Sequence, residues 1–119
     1  MKIETRNRKY QVGLGAVKID ITDSGSILLA PDEQVTFTTE RGGQYDVTRK
    51  SWGFFATPSL NGRLPKFNLR PVLIKARERY FVLLVERGCE EGFDKYVRDH
   101  GYLIALWLDE DLCGRMIEF

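Results

Sequence analysis

The sequence predicts an α+β domain: a mainly antiparallel, twisted sheet or partial barrel of about seven strands, with one C-terminal helix in a β-hairpin-α-β arrangement. Three observations lead there. Apolar and polar residues alternate with a period of two through much of residues 16–54, the pattern of half-buried strands. A single stretch, Glu90–Gly101, changes to helical spacing. Two uncharged apolar runs, YFVLLV at 80–85 and YLIALWL at 102–108, flank that stretch.

The elements follow in chain order. Residues 1–9 are polar and charged and are expected to fray. From Ala16, the residues Val17, Ile19 and Ile21 share one face while Lys18, Asp20 and Thr22 share the other. DSGS at 23–26 has turn chemistry, and ILLA at 27–30 resumes a strand. Val35 and Phe37 alternate with Thr36 and Thr38, Arg41-Gly42-Gly43 offers a turn, and Tyr45 and Val47 alternate again, so a hairpin is expected that runs on toward Trp52 and Phe54. Three prolines and Asn61-Gly62 keep residues 57–71 irregular. Residues 72–76 and 80–85 form a second hairpin around Arg77-Glu78-Arg79, and YFVLLV, apolar on both faces, is expected to be a central strand. In the helix, Phe93, Tyr96 and Val97 share a face, Glu90 and Glu91 occupy the first turn, and Gly101 stands where a left-handed cap belongs. Residues 102–108 read as a second buried strand, which suggests a βαβ crossover, with an antiparallel return as the alternative.

At 119 residues the chain is one domain by length, and 43% hydrophobic with 29% charged residues is a globular balance. The net charge of +1 is unevenly spread: residues 49–79 carry eight cations and one acid, and residues 86–119 carry nine acids and four cations. So basic a segment can attract an anionic ligand or pair with the acidic C-terminal third. Cys89 and Cys113 lack the spacing and histidine neighbours of a zinc site and fit a reducing compartment. The first residues lack the apolar core of a signal peptide, and no apolar run approaches membrane-spanning length. A cytoplasmic protein without membrane partners, metal or cofactor is expected.

Catalytic signatures are sparse. His100, the one histidine, falls in the last helical turn, where a ring nitrogen can meet exposed carbonyls. No nucleophile-elbow motif is present. Cys89 lies near the positive helix start, but Glu90 and Glu91 oppose it, and a structural thiol is expected. Asp109-Glu110-Asp111 reads as a solvated acidic turn, and Gly13-Leu14-Gly15 as a bend lacking the rest of a dinucleotide fingerprint.

The most informative stretch is RKSWGFFATPSLNGRLPKFNLR, residues 49–70. On a strand, Trp52 and Phe54 share one face and Phe55 points the other way, toward the expected core. KSWGFFAT matches the ribonucleoprotein motif of RNA-recognition domains at Lys50, Gly53 and Phe54, with Trp52 as an aromatic stand-in. Ser51, Phe55 and Thr57 depart from it, and no helix is predicted before Trp52, so the chain is not assigned to that family. Two readings compete. Trp52 and Phe54 are either inward-facing core residues or an open platform on which a base or sugar stacks beside cations. The platform reading names Arg49, Lys50, Trp52, Phe54, Asn61, Arg63, Lys66 and Arg70 as the binding residues. It makes the protein a non-catalytic binding domain for an anionic, ring-bearing ligand: single-stranded nucleic acid, a nucleotide sugar or an acidic glycan. The alternatives are an accessory subunit that docks on a partner protein through the same face, and a small enzyme with no local motif.

Overall fold

Strand pairing divides the chain into three small antiparallel sheets that follow one another along the sequence. The computed structural model describes residues 1–13, 18–56 and 59–110. Strands β1 (Lys2–Val12) and β2 (Ile19–Leu28) form a two-stranded ribbon. Strands β3 (Gln34–Thr38), β4 (Gln44–Lys50) and β5 (Gly53–Phe55) form a second sheet in that order. After one helical turn, α1 (Arg63–Lys66), come β6 (Leu69–Ala76), β7 (Arg79–Glu86), α2 (Glu90–His100) and β8 (Leu103–Trp107), whose strands are ordered β7-β6-β8. The class is β-rich α+β; among the described residues eight strands fall in three sheets. No helix among the described residues is long and apolar enough to cross a membrane.

The ribbon corrects two expectations. Residues 1–9 do not fray; Lys2–Val12 pairs with β2. Every β1 side chain is exposed, so no burial alternation marks the strand, and its ladder and ion pairs define it instead. Arg6 and Arg8 both reach Asp23, at 2.9 and 3.3 Å. DSGS is not a turn but the middle of β2, opposite a register shift between Thr5 and Arg8. That bulge has a purpose in the pattern. Ile19, Ile21 and Ile27 share a face of β2, and their partners Val12, Tyr10 and Ile3 must share it too. Ile3 and Tyr10 are an odd number of residues apart, so only an extra residue between them brings both to that face. Gly25, at φ 151°, sits beside the bulge, where a Cβ would collide with the Glu4 carbonyl oxygen. Ala16 and Val17, expected at the head of this strand, lie outside the described residues, as does Cys113.

The third sheet holds the main core. Val72, Ile74 and Val85 are buried, with Leu83, Phe93, Tyr102 and Trp107 packed against them. YFVLLV is not the central strand. It forms most of the edge strand β7, while β6 takes the centre and β8 the other edge. The prolines around 65–71 obscured this. Pro71 is fully buried inside β6, yet its carbonyl accepts from Leu108 N (2.9 Å), so its missing N–H points to the β8 side, beyond the last ladder pair at Val72–Trp107. β8 is not a buried strand either: Leu103 and Ile104 stand exposed. Because β7 and β8 both run antiparallel to β6, they are parallel to each other, and α2 carries the chain across β6 between them.

Helix α2 ends as its sequence dictates. Gly101 adopts φ 68°, ψ 28°, its amide donates to Arg98 O, and Tyr102 N donates to Val97 O at 2.9 Å, a Schellman arrangement. His100 Nδ1 lies 3.0 Å from Tyr96 O, and its ring packs against those of Tyr96 and Tyr102, which also meet each other. Burial by these neighbours, chiefly, pushes the Tyr96 phenol above the ordinary tyrosine range.

Candidate binding site at the β4–β5 tip

Lys50 pairs with Gly53, so Ser51 and Trp52 alone connect β4 to β5. Neither loop residue takes a positive φ; Gly53, directly after them, adopts φ 147°, a value side-chain-bearing residues rarely take. No atom lies within 4 Å of the place a Cβ would take there, so the backbone, and not packing, requires this glycine. Trp52 stands at the apex and is 71% exposed. Alternation then sends Phe54, opposite Arg49, to one face and Phe55, opposite Thr48, to the other; they are 59% and 57% exposed. Phe54 shares its face with Val35, Phe37, Tyr45 and Val47, where the Phe37 and Tyr45 rings stack at 6.3 Å.

Phe55 therefore does not enter the core, and the core reading of Trp52 and Phe54 is also overturned. The reason lies in what covers each sheet. Among the described residues the one long helix, α2, lies on the third sheet, while the second has only the one-turn α1, through Arg63, beside β5.

The expected cations are brought together only in part. The Arg49 side chain donates through Nη1 to Leu29 O at 3.0 Å, and its backbone exchanges hydrogen bonds with Asp32 and Glu33. Lys50 Nζ lies 2.6 Å from Asp32 Oδ1 beside the tip. Arg63 sits across the other face of β4, its Nε donating to Asp46 Oδ2 at 2.9 Å and its guanidinium 4.4 Å from the Phe67 ring centre. Asn61 precedes the α1 turn and Lys66 is its last residue, and neither side chain has a hydrogen-bonded or ionic partner among the described residues. Arg70 belongs to the third sheet. It reaches both Asp109 oxygens, at 2.8 and 3.4 Å, and lies 4.1 Å from the Trp107 ring centre, which joins the basic segment to the acidic C-terminal third. The Asp109 carboxylate, foremost, holds its guanidinium above the usual arginine range.

Sequence reasoning missed a group on the polar face. Gln34, Thr48 and Phe55 form one cross-strand row, with Asp46 in the next, and together with Ser59 and Arg63 they line a shallow cleft of about 270 Å³. Asp46 accepts from Thr36 Oγ1 at 2.7 Å as well as from Arg63, and its carboxyl is held below the usual range by the Thr36 hydroxyl first and by Arg63 after it. The polar residues at every second position, Gln34 with Thr36 and Asp46 with Thr48, were the available signal; nothing local announced that Ser59 and Arg63 would line the same cleft. Among the described residues no three histidine, cysteine or acidic side chains are grouped to hold a metal ion.

No family model matches this chain, and neither the curated proteins nor the solved structures contain a match.

Proposed function

We propose that this protein is a binding domain whose β4–β5 tip takes an anionic ligand carrying a stackable ring. The observation that carries the reading is the exposure of Trp52 and Phe54 beside Arg49 and Lys50 on a tight hairpin. An indole held at an apex offers a large flat contact with little conformational freedom to lose. The Lys50–Asp32 pair does not block the role. Asp32 is itself well exposed, and such surface pairs contribute about 0–1 kcal/mol, so a phosphate or carboxylate can exchange for it. Arg49 acts differently: fixed on the Leu29 carbonyl, it holds the strand that presents the rings.

Docking on a partner protein is the second reading. It is favoured by the intramolecular partners of Arg49, Lys50, Arg63 and Arg70, which leave the rings as the open feature of the region. Titration with single-stranded oligonucleotides, nucleotide sugars and uronic-acid oligosaccharides, followed by Trp52 fluorescence in a Trp107→Phe background, tests the first reading. Quenching that weakens steeply with salt and disappears in Trp52→Ala is the expected result. No response to any of these ligands rejects it.

A further inference from the structure

We propose that the cleft on the polar face of the second sheet binds a pyranose ring, as a site separate from the hairpin apex. Its floor is the row Gln34, Thr48 and Phe55 with Asp46 beside it, and its wall is Ser59 and Arg63. Each polar group is already oriented by the protein. Arg63 is fixed by Asp46 at 2.9 Å and by the Phe67 ring. Thr48 Oγ1 donates to Gln34 Oε1 at 3.1 Å, and Ser59 Oγ accepts from the Arg63 amide at 2.7 Å.

The hydrogen-bonding capacity left over defines the ligand. The Gln34 amide nitrogen, the Arg63 Nη groups and the Ser59 hydroxyl can still donate, while Thr48 Oγ1 and the Asp46 oxygens can still accept. Both kinds of group thus line the same cleft as the exposed Phe55 ring. Sugar hydroxyls both give and take hydrogen bonds, and the axial C–H face of a pyranose carries the positive edge that an aromatic face attracts. The volume, about 270 Å³, suits one ring. Asp46 balances the charge of Arg63 at 2.9 Å, so the cleft offers no surplus positive charge to a phosphate. Such prior orientation reduces the ordering needed on binding, which lets a small open cleft hold a neutral ligand.

The site does not need Trp52 or Phe54, which lie at the apex and on the opposite face. Saturation-transfer NMR with the methyl glycosides of glucose, galactose, mannose and xylose, each at about 10 mM to populate a millimolar site, tests it. Transfer to the ring protons of at least one glycoside is expected, unchanged in Trp52→Ala and reduced about tenfold in apparent affinity by Phe55→Ala. Phe55 is mostly exposed, so its removal leaves the fold intact; Gln34→Ala on the floor serves as the second variant. Absence of transfer from all four glycosides overturns the proposal. So does transfer that survives both Phe55→Ala and Gln34→Ala, or transfer confined to adenosine run as the nucleoside control.

Discussion

Trp52 and Trp107 are the same residue in two opposite circumstances. Trp107 ends a strand beneath α2, edge-on to Phe93 at 5.8 Å, with Arg70 stacked over it at 4.1 Å and Asp109 holding that arginine. Trp52 stands on a two-residue turn with most of its surface in water. Trp52 follows Arg49 and Lys50 in sequence and Trp107 precedes Asp109-Glu110-Asp111, yet both stand among apolar neighbours, and neither pattern by itself says which ring is covered. What separates them is a covering element. A sheet face becomes core where a helix is laid on it, and elsewhere the same aromatic residues stay available for contact with something else.

The comparison breaks most visibly at the tryptophans themselves. Trp107→Ala is expected to lose about 3–5 kcal/mol in urea unfolding, since it removes the ring against Phe93 and the seat of Arg70. Trp52→Ala is expected to stay within about 0.5 kcal/mol. Equal losses would mean that the hairpin apex is packed after all. Next in size, Arg70→Ala removes a two-point ion pair and a cation–π contact, and thermal unfolding should show a loss of about 1–3 kcal/mol, well above that of Lys50→Ala.

How far these differences were readable beforehand depends on range. The β3–β4 hairpin, the β6–β7 hairpin and α2 with its Gly101 cap are local, and turn glycines, period and capping residues marked them. The strand that became central was not, because Pro71 looked like a break and is tolerated only through the place where β8 stops. Of the candidate site, Arg49, Lys50, Trp52 and Phe54 stand together because they are adjacent on one hairpin. Arg70 left the group for a partner thirty-nine residues away, and Asp46 joined Arg63 from seventeen residues away; pairings at such range leave no local trace.

Smaller effects sharpen the contrast. Gly53→Ala should destabilise by about 1 kcal/mol from backbone strain alone, with no steric addition, by thermal denaturation. Acid should weaken the polar face of the second sheet. The folded Asp46 carboxyl titrates below its unfolded value of about 3.9, so its stabilisation is complete above that pH and fades as pH falls through the lower folded value. Urea midpoints measured from neutral pH downward should show this extra acid loss in the parent chain and its absence in Asp46→Asn.

The crossover through α2 has a consequence for synthesis on the ribosome. β6 and β7 can zip together as soon as both have emerged, but the second edge of β6 waits until the helix and β8 have followed. During that interval the nascent hairpin carries a bare flank of Val72 and Ile74, the very residues that end up sealed. A stalled chain released before Trp107 would expose a sticky seam to its neighbours, and holdase chaperones should retain it while releasing the finished protein.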